Sequence, residues 1–370
     1  MIRRFFQFLN VIALLVLLAG CLAVYVNPNT FWQLSFLGFA FPVMLLLNVF
    51  LFIGWLLLWS RFTFVALAAI LLCIPFIRTT FGFHYATDKE EGIKLITWNT
   101  KNFDLYNWSG NRANRAEMMS LLQKENADVL CLQEFYTNNQ FFHNLEYLRD
   151  TLGYKYMYFP PAVELSKVPK SKLQQTLWKS GILKQQWGVA TFSKYPIIDT
   201  GRIRFDNSLA NNCIYTDIDF KGKVVRVFNV HFQSIHLGYE DYAALDSLSE
   251  KQQTKWNSLK SIVRKMKTAY SRRSQQANAV AEQLQAYKGA KMLCGDFNDV
   301  PVSYTYHTAR TGMLDAFVEK GKGFSPTYVN PLSIFRIDYV LHEAGIKLNS
   351  YRVVQAPLSD HYPVAVTFDL

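Results

Sequence analysis

Residues 1–87 lack aspartate, glutamate and lysine altogether. Their only formal charges belong to four arginines, Arg3, Arg4, Arg61 and Arg78. Soluble domains carry about a quarter charged residues, so this absence excludes a water-exposed globular fold for the block. Charged residues return after it at ordinary frequency. Composition therefore divides the chain into an apolar region at 1–83, a linker at 84–92 and a domain at 93–370.

Cysteine is also scarce, with five residues in 370 and no CxxC spacing. The pattern favours neither a structural zinc site nor a disulfide framework. Each cysteine falls inside an apolar run: Cys21, Cys73, Cys131, Cys213 and Cys294. The sequence predicts that they are small core residues.

Long uncharged runs are abundant in the apolar region. Three of them lie at about 9–26, 36–59 and 62–77. A membrane-spanning helix needs roughly 20 apolar residues. The first two runs meet this requirement and the third is marginal, so we expect two or three transmembrane helices. The alternative for such runs is an apolar core helix, which two adjacent uncharged runs of this length disfavour.

The arginines predict the orientation, because positive charge is retained on the cytoplasmic side. Arg3 and Arg4 would stay in the cytoplasm, the uncharged loop at 27–33 would cross, and Arg61 would return. If the third run also crosses, the domain lies outside the cytoplasm, which is the arrangement we favour. If it does not, the domain is cytoplasmic. Either way we expect a multi-pass protein of the cytoplasmic (inner) membrane.

A second interpretation concerns Leu18-Ala19-Gly20-Cys21, where small residues precede a cysteine after an apolar stretch. This arrangement resembles a bacterial lipoprotein signal. The apolar run continues through Val26, which favours an uncleaved transmembrane helix.

Positive charge is in excess overall, with a net charge of +11. Without the four amino-terminal arginines, 35 basic residues stand against 28 acidic ones. A modest excess suits a polyanionic substrate or a membrane surface. Two polar segments, 163–186 and 247–273, have the composition of insertions. The second is strongly basic and is either a solvated helix face or a surface for phosphate groups or anionic lipid.

The domain alternates strand-like and helix-like segments, which is typical of an α/β layered fold. The strand-like segments are 93–98, 129–133, 187–193, 213–220, 224–232, 291–294, 336–341 and 363–368. The helix-like segments are 114–125, 141–152 and 247–287, the last with an expected break near Ser271.

Polar side chains follow these strands at the points where they end. Glu134 comes after 129–133, Asp296 and Asn298 come after 291–294, and Asn99 ends the first strand. Carboxylate and amide oxygens suit Mg²⁺, and a carboxylate beside an apolar strand is costly unless it is paired. Asp296 and Asn298 would point the same way on extended chain. A simple turn is the alternative for the asparagines and Asp296.

Two histidines complete the pattern. His231 ends the strand at 224–230, and His361 precedes the last strand, with Asp338 and Asp360 available as partners. Imidazole can protonate a leaving oxygen or stabilise phosphoryl charge near neutral pH. A lone histidine is more often structural, but two at strand ends favour a catalytic site.

Taken together, these motifs resemble the endonuclease/exonuclease/phosphatase superfamily over the whole domain. The matching motifs are Thr97-Trp98-Asn99, Leu132-Gln133-Glu134, Asn229-Val230-His231, Gly295-Asp296-Phe297-Asn298, Arg336-Ile337-Asp338-Tyr339 and Ser359-Asp360-His361. The resemblance implies an α/β four-layer sandwich, with two facing mixed β-sheets flanked by helices and the site at their shared rim. It also implies hydrolysis of a phosphodiester or phosphomonoester by activated water, with Mg²⁺ (or Mn²⁺) as the cofactor.

The resemblance also implies roles for individual residues. Glu134 resembles the metal ligand of the superfamily, with Asn99 and Asp360 near the same ion. Asp296 resembles the residue that activates water, with Asn298 beside it.

The histidines have counterparts as well. His361 resembles the phosphate-contacting histidine, oriented by Asp338. His231 matches the histidine of deoxyribonuclease I and the sphingomyelinases, where abasic-site enzymes tend to have tyrosine, so abasic-site repair is disfavoured.

The sequence thus predicts a membrane-anchored Mg²⁺-dependent phosphoric ester hydrolase, acting as a nuclease or as a phosphodiesterase on a phospholipid head group. The membrane anchor and the basic insertion suit a lipid, whereas the superfamily and the positive charge suit a nucleic acid. An inert binding or scaffold module that kept the fold is the alternative from another class. All six motifs retain chemically competent residues, which disfavours it.

Overall fold

The computed structural model describes residues 2–85, 89–138, 141–160, 186–205, 211–235, 252–329 and 334–370. The proposed insertion at 163–186 lies outside the described residues except for Gln186, and so does the start of the basic segment, 247–251. The helices are α1 Ile2–Leu22, α2 Pro28–Phe31, α3 Gln33–Phe39, α4 Phe41–Leu57, α5 Phe62–Leu72, α6 Ile74–Thr80, α7 Asn114–Glu125, α8 Asn144–Glu146, α9 Gln252–Ala286, α10 Tyr304–Ala309 and α11 Ala316–Lys320. A 3₁₀ turn at Lys101–Asp104 and a π turn at Tyr147–Thr151 add to them.

Fourteen strands lie in the described residues. They are β1 Gly82–Phe83, β2 Ile93–Asn99, β3 Val129–Thr137, β4 Tyr156–Tyr158, β5 Gln186–Ser193, β6 Ile197–Arg204, β7 Asn212–Phe220, β8 Lys223–His231, β9 Lys291–Asp296, β10 Leu314–Asp315, β11 Lys322–Gly323, β12 Asp338–His342, β13 Lys347–Val353 and β14 Val364–Asp369. All eight predicted strands are present, and the predicted α/β class with two mixed sheets flanked by helices is confirmed.

The strands form two six-stranded mixed sheets and one two-stranded ribbon. One sheet has the order β13-β14-β2-β3-β5-β4, and the other β10-β12-β9-β8-β7-β6. Within them β2 runs parallel to β3, and β8 runs parallel to β9, while the remaining pairs are antiparallel. The ribbon pairs β1 with β11.

Side chains from both sheets form one apolar core. Leu95 and Cys131 of the first sheet cluster with Val227, Cys294 and Val340 of the second, and all five are fully buried. Because β3 is buried on both faces, it has the continuous apolar run of a central strand rather than an alternating pattern. The core fixes the two sheets face to face, which determines where their strand ends meet.

A second core covers the outer face of the first sheet. Ile96 and Leu130 pack there with Met118 and Leu122 of α7. The predicted helix at 114–125 matches α7, which ends at Asn126 in the left-handed conformation that commonly terminates helices. The helix predicted at 141–152 is wrong in extent, since only α8 and the π turn form there.

The chain forms two compact units, and each unit combines segments that are separated in the sequence. One unit comprises residues 1–80, 233–281 and 298–311. The other comprises 81–232, 282–297 and 312–370, and it contains both large sheets.

Within the first unit, α1 is a continuous apolar helix. Its segment Arg4–Leu22 is long and apolar enough to span a membrane. The other two predicted runs are each a bent pair: α3 and α4 meet at 63°, and α5 and α6 at 57°. Pro42 at the start of α4 and Pro75 in α6 account for the breaks, because proline cannot donate the helical hydrogen bond.

The long helix α9 corrects one expectation. It continues without interruption through Ser271, where a break was predicted. Arg273 is buried, and its guanidinium is satisfied there by donating to Asp299 Oδ2 (3.1 Å) and to the Gln233 carbonyl (2.9 Å). Ser274 accepts from Asn29 Nδ2 at 2.9 Å. The polar residues near Ser271 suggest a helix end in the sequence because their hydrogen-bonding partners lie far away along the chain.

All five cysteines are buried free thiols, as predicted. Cys21 lies in the last turn of α1, with its sulfur 3.5 Å from that of Cys73.

Candidate active site

The ends of parallel strands bring four predicted residues to one edge of the paired sheets. β2 ends at Asn99, which pairs with Gln133, the neighbour of Glu134 in β3. β8 ends at His231, which pairs with Asp296 at the end of β9. Polar groups at the carboxyl ends of parallel strands form binding sites in many α/β proteins.

Antiparallel strands bring two more residues to the same edge. β12 begins at Asp338, which pairs with Asp296. β14 begins at Val364, which pairs with Thr97 near the end of β2, and His361 lies just before it. β12 begins at the edge where β2, β8 and β9 end, and β14 begins close to it. Glu134 reaches the same edge from within β3.

Glu134 occupies a β-bulge. The register between β3 and β5 shifts between Leu132 and Phe135, and Glu134 has a φ of 48°. A bulge redirects a side chain out of the strand alternation. A left-handed conformation at a non-glycine residue costs about 1–3 kcal/mol and is retained mainly where function requires it. The bulge thus directs the carboxylate of Glu134 toward the site.

The amide of Asn99 joins the two sheets. Its Nδ2 donates to Glu134 Oε1 at 3.1 Å and to Asp296 Oδ2 at 3.0 Å. Its Oδ1 accepts from the backbone N–H of Lys101 at 3.1 Å, which fixes the orientation of the amide. One buried side chain therefore holds a carboxylate of each sheet at a fixed separation.

Both imidazoles face Asp296. His361 Nδ1 lies 2.9 Å from Asp338 Oδ2, and its Nε2 lies 3.7 Å from Asp296 Oδ2. His231 Nε2 lies 3.6 Å from the same oxygen and 3.8 Å from Glu134 Oε1. The predicted pairing of His361 with Asp338 matches this geometry, and Asp296 is at the centre of the group.

The backbone of His361 is held from two directions. Trp98 Nε1 donates to the His361 carbonyl at 2.9 Å. Tyr328 forms an isolated β-bridge with His361, and the two rings pack edge to face with centroids 5.3 Å apart. These contacts limit the directions in which the imidazole can point.

Burial and charge shift the pKa values of the site in opposite directions. Burial raises the pKa of Asp296 to about 6, partly opposed by His361. Burial lowers the pKa of His361, but the carboxylates of Asp338 and Asp296 outweigh it and raise that pKa well above its usual range. Burial, followed by the charge of Asp360, raises the pKa of Glu134, although a third of its side chain is exposed. The site therefore combines a buried carboxylate that titrates near neutrality with a charged imidazolium.

Asp360 lies at the exposed side of the site. Its Oδ2 is 3.0 Å from Lys101 Nζ, and 30% of its side chain is exposed. Burial opposes ionisation, but His361 and Lys101 together lower the pKa of Asp360. Ser359 donates to the Asn99 carbonyl at 2.8 Å, which ties this loop to the end of β2.

The donor set fits a hard divalent cation. Asp296, Asp338 and His361 offer ligand atoms that all lie within 4.8 Å of one another. Oδ1 of Asp338 is buried without a hydrogen-bond partner among the described residues. Buried polar atoms are rarely left unpaired, and a cluster of carboxylates with desolvated oxygens suits Mg²⁺ or Mn²⁺.

Asn298 does not follow the extended-chain argument. β9 ends at Asp296, and Asn298 has a φ of 52°, so the chain has already turned. Gly295 has a φ of 137°, and a Cβ there would lie 2.0 Å from the Val230 carbonyl oxygen. Only glycine permits that close approach of β9 to β8.

The sequence interpretation gave no role to three residues that support the site. Gln133 Nε2 donates to Thr97 Oγ1 at 3.0 Å and to Asn229 Oδ1 at 2.7 Å, and so links the two sheets behind the site. Lys101 pairs with Asp360. Gln133 and Asn229 lie within the quoted motifs. Each is an amide residue at the end of an apolar run, and this pattern could have predicted a buried hydrogen bond.

The fold and the rim of carboxylates and imidazoles define an α/β protein of the phosphoesterase class. Residues 96–361 match the model of the Endonuclease/Exonuclease/phosphatase family, and the chain belongs to that family. Its members hydrolyse phosphoric esters, which supports this general class of activity. A second model, described as a domain of unknown function, matches residues 3–80.

Solved structures confirm the fold. An endonuclease/exonuclease/phosphatase from Beutenbergia cavernae is 16% identical, with 75% of this chain and 71% of that chain covered and a TM-score of 0.51. One from Bacteroides vulgatus is 16% identical over 77% of this chain and 100% of that chain, with a TM-score of 0.51. A mannosyl-6-phosphatase from Bacteroides thetaiotaomicron is 15% identical over 75% and 100%, with a TM-score of 0.50. No curated protein matches the chain.

Proposed function

We propose that the protein is a membrane-anchored, divalent-metal-dependent phosphoesterase that hydrolyses its substrate with activated water. The observation that carries the proposal is the convergence of two imidazoles and the amide of Asn99 on one oxygen of Asp296. A buried carboxylate with a pKa of about 6 can accept a proton from water near neutral pH. The rate enhancement expected from such proton transfer is about 10²–10⁴-fold.

The imidazoles have complementary roles in this proposal. His361, held charged by Asp338, donates a hydrogen bond to the phosphoryl oxygens, where negative charge accumulates. His231 lies between Glu134 and Asp296 and directs a second donor at the same region. Asn298, two residues after Asp296, is the proposed second contact to a phosphate oxygen.

The carboxylates of Glu134 and Asp360 are the proposed metal ligands, because a charged His361 paired with Asp338 has no free lone pair for the ion. Asn99 is proposed to lie beside the same ion, where its amide nitrogen donates to Glu134 and positions this ligand. A bound Mg²⁺ or Mn²⁺ would neutralise phosphate charge and lower the pKa of water.

The substrate is proposed to be a phosphate ester of a nucleic acid or of a phospholipid head group. The mannosyl-6-phosphatase described above has the same fold, so the fold accommodates more than one ester. The proposed membrane anchoring makes a phospholipid a natural first substrate to test.

Contacts of the segment that follows α1 support an extracytoplasmic location for α9. Asn29, which follows α1, bonds Ser274 of α9, and Phe36 packs against Tyr270 with ring centroids 5.5 Å apart. Helix α9 therefore lies at the end of α1 remote from Arg3 and Arg4. If those arginines remain in the cytoplasm, α9 lies on the opposite side of the membrane. Protease protection in spheroplasts tests this orientation.

Activity is best tested on the full chain in detergent. A Cβ on Gly38 in α3 would lie 2.2 Å from the Val302 carbonyl, so the apolar region packs closely on the segment after Asn298. The assay is hydrolysis of bis-p-nitrophenyl phosphate with Mg²⁺ and then with EDTA. Activity that EDTA removes and that His361→Ala lowers supports the proposal. No hydrolysis of any ester in a panel of DNA, RNA, sphingomyelin and phosphoinositide would favour an inert module instead.

A further inference from the structure

Helix α9 carries a long stretch without negative charge. Between residues 258 and 281 there is no aspartate or glutamate, whereas there are six basic residues. These are Lys260, Arg264, Lys265, Lys267, Arg272 and Arg273. Arg273 is committed to the buried ion pair with Asp299, but the others are not buried.

Three of these cations share one face of the helix. Lys260, Arg264 and Lys267 are spaced at i, i+4 and i+7, so they line up along α9, and all three are exposed. Ser271 continues the same line, and its hydroxyl donates to Asn29. The basic face thus leads directly to the loop that follows α1.

Apolar side chains lie beside this basic face. Leu259 is 37% exposed and Val263 is 39% exposed. Tyr270 follows Val263 at helical spacing and packs against Phe36. Lys267 Nζ lies 5.6 Å from the centre of the Trp32 ring. Exposed aliphatic residues beside lysine and tryptophan are typical of helices that lie in a membrane interface.

The position of this face follows from α1. Trp32 and Phe36 lie within 14 residues of Leu22, where the apolar span ends. Tryptophan is enriched at the level of the lipid head groups. Because the loop containing Trp32 is held against α9, the face of Lys260, Val263 and Lys267 lies at the same level.

We propose that this half of α9 docks in the plane of the membrane and binds the phosphates of anionic phospholipids. Leu259 and Val263 insert at the boundary between head groups and acyl chains, and Lys260, Arg264 and Lys267 contact the phosphates. The inference rests on the proposed membrane anchoring and is independent of the catalytic chemistry. Each lysine or arginine near an anionic surface contributes about 1 kcal/mol, so about fivefold in the docking equilibrium.

The test uses the full chain in nanodiscs of phosphatidylcholine alone or with added phosphatidylglycerol. A nitroxide label at Val263→Cys reports immersion through its accessibility to oxygen and to a water-soluble nickel chelate. A label at Thr268→Cys, five residues on and on another side of the helix, is the positional control. The five buried native cysteines are measured as background on the unmutated chain.

We expect the label at position 263 to lose access to nickel when phosphatidylglycerol is present, while the label at 268 keeps it. K260Q/K267Q should lower the docking equilibrium at least tenfold. The matched control K265Q/R272Q removes the same charge from residues about 120–160° around the helix from Lys260 and Lys267, and should change docking little.

Three outcomes would overturn the proposal. They are equal nickel access in both lipid compositions, equal losses in the two double variants, and suppression of docking by excess inorganic phosphate, which would assign the cations to free phosphate. Failure of the anchor is recognised separately, because the chain would then not co-purify with nanodiscs of either composition. Loss of hydrolysis alone has no bearing on these readouts.

Discussion

Nδ1 of His361 lies 2.9 Å from Oδ2 of Asp338, and both side chains are buried. The carboxylate accepts a hydrogen bond from Nδ1–H, which leaves Nε2 directed at Asp296, 3.7 Å away. A carboxylate behind an imidazole fixes its orientation and stabilises its charged form. This pair therefore determines the pH up to which His361 stays protonated.

Replacing Asp338 with asparagine tests this role. Removing the negative charge lowers the pKa of His361, so its protonated form is lost at a lower pH than in the parent. We expect kcat to fall about 10²–10⁴-fold and the alkaline limb of the kcat/KM profile to move to lower pH. The profile is measured with bis-p-nitrophenyl phosphate and saturating Mg²⁺.

Asp150→Asn is the matched control, because Asp150 is 60% exposed and pairs only with its neighbour Arg149 among the described residues. It should leave the rate and the profile unchanged. A D338N enzyme with a lower rate but an unshifted alkaline limb would show that Asp338 acts only through packing.

The pKa of Asp296 predicts how cation affinity depends on pH. Burial raises this pKa to about 6. The ionised carboxylate of Asp296 lies beside Glu134, so its negative charge favours a cation there, and the affinity for Mn²⁺ should rise by up to about tenfold per pH unit until about pH 6 and then level off. Electron paramagnetic resonance of free Mn²⁺ measures the affinity.

The raised pKa of Asp296 also affects the stability of the metal-free protein, which should decrease as pH rises. A carboxyl group whose pKa is raised on folding contributes stability below its unfolded pKa of about 3.9, and this is lost as pH rises to about 6. Asp296→Asn should remove both dependences. A variant that binds Mn²⁺ with the parent's pH dependence would exclude Asp296 as the titrating group.

The strands of the fold were predictable because their burial is continuous along the chain. All of β3 and the last five residues of β2 lie in the core apart from Glu134, and their apolar runs identify them. β6 and β13 were missed because β6 has no buried residue and only part of β13 is buried, so their sequences mix charged and apolar residues without a clear pattern.

The convergence of the motif residues at one edge of the sheets was predictable, but the geometry between them was not. Asp338 and His361 each lie within a recognisable motif, and the strand register pairs Asp338 with Asp296, which His361 also faces. The orientation of the Asn99 amide depends on the backbone N–H of Lys101, and the link from Gln133 to Asn229 depends on how the sheets face each other. Such contacts between distant segments leave no trace in one sequence.

Replacing Asn99 with aspartate tests the bridge between the sheets. The change removes two hydrogen bonds to carboxylates and adds a third negative charge between Glu134 and Asp296. Losing hydrogen bonds to charged groups costs about 1.5–3 kcal/mol each. We expect a lower Tm than the parent in EDTA and a larger rise of Tm on adding Mg²⁺, as measured by differential scanning fluorimetry.

Asn99→Ala is the control, since it removes the same hydrogen bonds without adding charge. Its Tm should fall in EDTA, but its response to Mg²⁺ should not exceed that of the parent. Equal responses of the two variants would mean that the added carboxylate does not face the cation.

The close contact at Gly38 predicts a strong effect in the amino-terminal unit. A Cβ at this position would lie 2.2 Å from the Val302 carbonyl oxygen and 2.8 Å from Ala23 Cβ. Gly38→Ala therefore forces the backbone apart, at a cost of about 1–3 kcal/mol.

Gly54→Ala is the matched control, because a Cβ there meets nothing within 4 Å and alanine favours the helix by about 1 kcal/mol. We expect Gly38→Ala to lower the Tm of the full chain in detergent and Gly54→Ala to preserve or raise it. Equal Tm values for the two variants would show that α3 does not pack on the segment containing Val302 in solution.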